Sequence, residues 1–218
     1  MSTSRRAKFA KRALDVTLAT CGLIAFAPLM AAAAIAIRLT MGPPILFRQS
    51  RPGLGGQPFT ILKFRSMLDV TDARGSLLPE ADRQTSLGRW LRKTSFDELP
   101  ELVNIIRGEM SIVGPRPLQM RYLPLYNDEQ MRRHDVRPGI TGLAQVRGRH
   151  TVPWETRFKL DTWYVDHWSM RLDALILRET IRVLFRGQAS FGQGRGSVPF
   201  TWPGNDGGSG VSTRGRFA

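Results

Sequence analysis

Asp97 and Glu98 stand side by side in Ser95-Phe96-Asp97-Glu98-Leu99-Pro100. Adjacent carboxylates can hold a hard divalent cation, or one of them can attack an electrophile while the other positions it. The plainer role of an acidic pair at the start of a helix is to complement the helix dipole, and on local sequence alone that role is the commoner one. Arg116 lies between Pro115 and Pro117. Its backbone is stiff, so little entropy is lost when its fork meets phosphate oxygens. The net charge of +14, from 32 Lys and Arg against 18 Asp and Glu, implies an anionic partner: nucleic acid, an acidic membrane surface or a phosphorylated substrate. Cys21 is the sole cysteine, which excludes an intrachain disulfide and a Cys-rich metal site. The histidines, His134, His150 and His167, lack metal-motif spacing and read as surface or satisfied core residues. The glycines at 53, 55 and 56 are not spaced as a phosphate-cradling loop.

These residues need elements to position them. Ile45-Leu46-Phe47 and residues 59–64 read as two short strands joined by a turn-rich connection, a hairpin. Residues 67–86 are polar and aperiodic, a surface loop. Ser95 and Glu98 have capping-box spacing, and Leu99, Leu102, Val103 and Ile106 form one apolar stripe, so a helix is expected from Ser95 to a stop at Gly108. Residues 111–117 read as a rigid loop, 124–133 as a helix, 137–142 as a turn and 143–146 as a short strand. Residues 154–185 are helical and aromatic-rich. The stretch carrying Arg171, Arg178, Arg182 and Arg186 suits a membrane interface or a core helix with a solvated basic face. The Gly- and Ser-rich residues 187–218 are expected to be largely disordered.

Residues 13–37 are almost all apolar. As a helix they extend roughly 37 Å, enough for a hydrocarbon core of about 30 Å. A cleaved signal peptide, a spanning helix and a re-entrant hairpin all compete for this segment. The stretch is long for a signal. Basic residues flank both ends, which favours both ends on one side, and Pro28 near the middle is expected to kink the helix. Asp15 at its start is expected to pair with Lys11 or Arg12.

Further strings occur in order with the acidic pair: Lys11-Arg12-Ala13-Leu14-Asp15, Lys63-Phe64-Arg65-Ser66-Met67, Gly114-Pro115-Arg116-Pro117 and Arg137-Pro138-Gly139-Ile140-Thr141-Gly142. Together they resemble the bacterial sugar transferases that prime polysaccharide and glycan synthesis, the monotopic polyprenyl-phosphate phosphoglycosyl transferases, in their minimal catalytic form. The likeness runs over residues 8–191. It implies an α+β, helix-dominated fold: a basic flank over 1–12, a re-entrant membrane helix over 13–39 broken at Pro28, and a catalytic domain with interfacial helices over 40–186 on the cytosolic face of the bacterial inner membrane.

The resemblance also implies transfer of a sugar-1-phosphate from a UDP-sugar to polyprenyl phosphate, with release of UMP and a covalent phosphosugar on Asp97. Glu98 would help hold Mg²⁺ with Asp97. Lys63, Arg92 and Arg116 fall at positions associated with phosphate, with Arg65 and Arg137 as secondary candidates. The expected partners are the UDP-sugar, polyprenyl phosphate and membrane lipids. A homodimer and downstream glycosyl transferases are further candidates, and nucleic acid is not expected. Two other classes compete: a nucleic-acid binder, suggested by charge alone, and a catalytically inactive scaffold for glycan assembly. The apolar segment and the lack of an aromatic-basic RNA motif weigh against the first. Intact Asp97, Glu98 and Arg116 weigh against the second.

Overall fold

A computed structural model describes residues 5–148 and 152–186. The expected disordered tail over 187–218 lies outside the described residues. Helix α1 (Arg5–Thr40) leads into strands β1 (Leu46–Pro52) and β2 (Pro58–Phe64). Helices α2 (Glu80–Arg83), α3 (Ser86–Thr94) and α4 (Glu101–Arg107) follow, then β3 (Ser111–Val113), α5 (Asp128–Met131), β4 (Gly139–Thr141), α6 (Leu143–Gly148), α7 (Trp154–His167) and α8 (Met170–Arg186). The architecture is helix-dominated, with two small two-stranded ladders.

The hairpin forms as its sequence predicts. β1 and β2 are antiparallel, from Leu46 opposite Phe64 to Pro52 opposite Pro58. Gly55 and Gly56 turn the chain at φ of 62° and 73°, left-handed values that a Cβ would disfavour. The second ladder was missed. β3 and β4 pair in parallel, with Ser111 opposite Gly139 and Val113 opposite Thr141, where a loop and a turn were expected. Glycine makes this approach possible: a Cβ on Gly142 would lie 2.1 Å from the Gly114 carbonyl oxygen. The expected strand over 143–146 is helical, as α6. The expected helix over 124–133 is instead a 3₁₀ segment, Met120–Leu125, followed by α5 and a second 3₁₀ turn at Arg132–His134.

Helix α1 lies against the rest of the chain along much of its length. Ala19 packs with Ile61, Ile105 and Met110, while Ile37 and Met41 pack with Phe64 and Leu91. The opposite face exposes Leu14, Leu18, Ile24, Leu29, Ile35 and Leu39. Among the described residues α1 is the one helix long and apolar enough to cross a membrane. Pro28 lies inside it, and the element stays helical on both sides.

The polar start of α1 also departs from expectation. Asp15 pairs with neither Lys11 nor Arg12. It is buried and accepts from Ser111 Oγ at 2.8 Å and the Ile112 amide at 3.1 Å. Lys11 Nζ reaches Asp173 at 2.6 Å, and Arg12 donates to the carbonyls of Ile105 and Ile106 at 2.6 and 2.9 Å. A buried partner across the fold outcompetes an exposed neighbour on the same helix, because the exposed pair gains only a few tenths of a kcal/mol, roughly 0.2–0.5. The remaining core gathers Val113, Leu143, Tyr164, Leu172 and Ile176, with Trp163 and Trp168 packed against it. Tyr164 and Trp163 of α7, with Trp168 just after it, thus face the interior, while Trp154 at the start of α7 is exposed.

Candidate active site

The acidic pair does not sit on a helix capped by Ser95. Ser95 ends α3 in the left-handed region at φ 60°, the one non-glycine residue with positive φ among those described. Phe96–Glu98 then form a single 3₁₀ turn before Pro100 opens α4. The Ser95 side chain makes no cap hydrogen bond. A strained residue costs of order 1–3 kcal/mol and persists where its surroundings hold it. Here Thr85 Oγ1 caps α3 through the Gly88 amide at 2.9 Å, and a Cβ on Gly88 would lie 1.9 Å from the Ser66 carbonyl oxygen. α3 is therefore fixed in place, and Ser95 re-aims the chain leaving it.

α4 is fixed as firmly, but by polar groups that the apolar stripe did not reveal. Asn104, fully buried, accepts from the Leu62 amide at 3.0 Å and donates to the Thr60 carbonyl at 2.7 Å. This ties α4 to β2. Glu101 and Ile105 are buried with it, whereas Ile106, expected inside, is exposed. β2 in turn carries Lys63, whose Nζ lies 2.7 Å from Glu98 Oε1 and 3.1 Å from Glu101 Oε1. Arg116 meets Glu98 through both arms of its guanidinium: Nη2 bonds Oε1, and Nη1 lies 3.5 Å from Oε2. The Arg116 carbonyl accepts from Arg133 at 2.8 Å, and Arg133 is held by Asp161 in a buried pair at 2.7 Å. Arg133 and Asp161 thus set the position of Arg116 from behind.

These groups face a cleft of about 1110 Å³ lined by Lys63, Arg92, Asp97, Glu98, Glu101 and Arg116, among others. Its two neighbouring carboxylates differ. Burial opposes ionisation of Glu98, but the charges and hydrogen bonds of Arg116 and Lys63 outweigh it and hold the carboxyl well below its usual range. Asp97 makes no hydrogen bond or ion pair among the described residues. Burial, and then the charge on Glu98, push it up to about 6. Glu101 is raised for the same reasons, in the same order. Glu98 thus anchors the cations, and Asp97 stands open beside it.

The sequence-derived candidates divide. Lys63, Arg92, Asp97, Glu98 and Arg116 line one cleft. Arg92 reaches it while bonded to Glu80 at 2.8 Å. Arg65 and Arg137 do not line it. Arg65 is buried and donates to the carbonyls of Met41, Pro43, Pro44 and Met67 at 2.5–3.2 Å. Arg137 Nε donates to the Gly108 carbonyl at 2.8 Å, at the end of α4. Both satisfy backbone carbonyls where chain segments end, a demand that a motif string does not display. Conversely, Glu101 and Arg51 line the cleft and were given no role from sequence. Glu101 stands directly after the quoted string around Asp97, three residues from Glu98, and that spacing was its signal. Arg51 is one of the basic residues that follow the apolar segment, and its sequence surroundings carry no further signal.

The sequence model for the bacterial sugar transferase family matches residues 6–187. The chain is 51% identical over 172 residues to the sugar transferase EpsL of Bacillus subtilis, covering 79% of this chain and 85% of the relative. It is 45% identical to the UDP-glucose:undecaprenyl-phosphate glucose-1-phosphate transferase of Caulobacter vibrioides, covering 78% of this chain and 68% of that one. It is 39% identical to the UDP-N-acetylgalactosamine-undecaprenyl-phosphate N-acetylgalactosaminephosphotransferase of Aeromonas hydrophila, covering 82% of this chain and 44% of that longer protein. With a match over nearly the whole described chain and a cleft built from the motif residues, this chain belongs to the bacterial sugar transferase family.

Proposed function

We propose that the chain transfers a sugar-1-phosphate from a UDP-sugar to undecaprenyl phosphate at a membrane, through a covalent intermediate on Asp97. The observation that carries this reading is the unpartnered Asp97 carboxylate beside Glu98, which two cations hold ionised. The relatives named for such transfers use glucose or N-acetylgalactosamine donors.

In the first half-reaction an Asp97 oxygen attacks the β-phosphorus of the UDP-sugar. The bond from that phosphorus to the bridging oxygen breaks, and UMP leaves with the electron pair. In the second half-reaction an oxygen of the lipid phosphate attacks the same phosphorus, and Asp97 leaves as carboxylate. The product is a lipid diphosphosugar. Two anions must meet in each step, so cations have to flatten the field. Arg116 presents a planar fork to phosphate oxygens, and Lys63 a point charge. Arg92 adds charge at the cleft edge.

The donor set also fits Mg²⁺. This ion binds through one or two carboxylates and takes its other ligands from substrate phosphates and water, and Asp97 and Glu98 would hold it. When bound, it supplies further neutralisation of the diphosphate. The described residues contain no cluster of three or more acidic, His or Cys groups suited to a metal ion, so an all-protein cage is not the design proposed.

Membrane placement belongs to the same reading. Both ends of α1 pack on the domain that carries the cleft, through Lys11 and Asp15 at one end and Ile37 and Met41 at the other. This favours a segment that enters and leaves the bilayer on one side, the cytosolic face where nucleotide sugars are found. Detergent-purified protein with UDP-glucose or UDP-N-acetylgalactosamine and radiolabelled UMP should exchange label only when Mg²⁺ is present. Absence of exchange across a broad UDP-sugar panel, with lipid transfer also absent, would sink the reading.

A further inference from the structure

The cleft is not walled by the cytosolic-face elements alone. Phe26, from the apolar stretch of α1, lines it together with Phe96, the residue before Asp97. The two rings meet edge to face with centroids 6.5 Å apart. Trp90, from α3, stacks on Phe96 at 5.3 Å, nearly parallel at 9°. Phe26 is 42% exposed and lines the cleft with Phe96, so the row is open to an incoming ligand there, while Trp90, 45% exposed, does not line the cleft and backs Phe96. The row begins on the helix that would touch lipid, and its middle ring, Phe96, stands next in sequence to the carboxylate that would carry the sugar phosphate. Arg92 and Lys93, from the same helix as Trp90, line the cleft beside it. An apolar path ending in cations matches an amphiphile with a hydrocarbon tail and an anionic head. A nucleotide sugar has no hydrocarbon tail to lay along such a path; its uracil ring is the one part that would stack there.

The geometry points to the Phe26–Phe96–Trp90 row as the seat of the first isoprene units of the lipid acceptor, with Arg92 and Lys93 receiving its phosphate. This inference rests on the proposed transfer reaction and adds the acceptor's route to it. Aromatic faces bind branched, unsaturated hydrocarbon well, because they offer large apolar area without a polar demand.

The test uses chain length. Transfer is measured in detergent with two acceptors, undecaprenyl phosphate and a phosphate carrying a single isoprene unit, for wild type, Phe26→Ala, Phe26→Leu and Trp90→Ala. The readout is the ratio of kcat/KM for the long acceptor to that for the short one within each preparation, so losses of folded protein cancel. Phe26→Ala and Trp90→Ala should each lower this ratio about tenfold, which corresponds to about 1.4 kcal/mol. Phe26→Leu, which keeps apolar volume, should recover most of it. An unchanged ratio in both alanine variants would overturn the acceptor seat while leaving the transfer reaction standing. No transfer by wild type to either acceptor would overturn the reaction, and the seat with it.

Discussion

The foot of α1 and the floor of the cleft are built from the same kinds of residue, yet one is closed and the other is not. At the foot, Asp173 accepts from Lys11 at 2.6 Å, Tyr164 Oη at 2.7 Å and Trp168 Nε1 at 3.1 Å, and nearby Asp15 takes two donors of its own. Each carboxylate there is saturated. In the cleft, Lys63 and Arg116 crowd onto Glu98, Glu101 shares Lys63 with it at 3.1 Å, and Asp97 is left without a partner. Buried polar groups are normally satisfied, because an unmet one costs about 1–3 kcal/mol. A saturated cluster gives up its charge to hold elements together. An unsaturated one keeps charge available for something not yet bound. If this contrast is right, substitutions at the foot change stability and spare turnover, and substitutions in the cleft do the reverse.

The largest expected effect is at Asp97. Asp97→Asn should lower UMP exchange by at least about a thousandfold, since it removes the attacking group itself. Its melting temperature should hold or rise, because an unpartnered carboxylate with a raised pKa contributes no stability as an anion. Residual exchange near the wild-type rate would break the assignment of the nucleophile. The matching experiment at the foot is Asp173→Asn. Weakening one partner of a largely buried ion pair costs about 3 kcal/mol, which for a chain of this size is roughly 10 °C in melting temperature. Exchange per folded molecule should stay within about twofold, and a loss of exchange without a loss of stability would erase the distinction between the two regions.

The same contrast explains what the sequence could and could not reveal. The hairpin was legible because apolar runs bounded by Gly and Pro encode it locally. The end of α4 was legible because Gly108 stands at φ 89°, where glycine is favoured. The acidic pair and Arg116 were legible as ordered strings. The parallel β3–β4 ladder was not, because it joins segments far apart in sequence, each only three residues long. Nor was the buried face of α4: hydropathy placed Ile106 inside, but Asn104 and Glu101 take the interior through bonds to β2 and Lys63. Arg65 and Arg137 shared the type and motif context of Arg116. Only three-dimensional placement shows that the Arg65 guanidinium is consumed by carbonyls and that Arg137 spends its Nε on another, both away from the cleft. A string can name a cation without saying whether it is free.

His134 offers a test on the closed side of the comparison. It is buried and stacked on Tyr126, with Nδ1 3.2 Å from the Gly53 carbonyl. Burial and the neighbouring Arg133 charge lower it to about 4. The unfolded chain takes up this proton near the ordinary value of about 6.5, while the native state refuses it until about pH 4. Stability therefore falls as pH drops through this window, by up to about 3 kcal/mol from this residue. Asp97 and Glu101, with raised values, act in the opposite direction over acid pH, so wild type alone mixes the terms. The difference between wild type and His134→Gln in urea denaturation isolates the histidine. Gln retains a donor for Gly53 and does not titrate, so the difference should vary across the window. A constant difference from pH 7 to pH 4 would show that His134 titrates in the fold as it does in the unfolded chain, with no lowering by burial.

The smallest expected effect sharpens the open side. Arg116→Lys keeps a positive charge near Glu98 but loses the fork that meets both of its oxygens. Glu98 would still be held by Lys63 at 2.7 Å, and Arg133 would still fix the backbone of residue 116 through its carbonyl. Stability should therefore change little, since the Arg116 side chain is 41% exposed. Exchange should fall about tenfold, because a point charge cannot match two phosphate oxygens at once. Arg133→Lys provides the contrast: it weakens the buried pair behind the cleft without touching the cleft charge. It should lower the melting temperature more than Arg116→Lys does and lower exchange less. If the two variants lost stability and exchange in the same proportion, Arg116 would belong to the framework, and the open cluster would shrink to Asp97 and the cations that reach it directly.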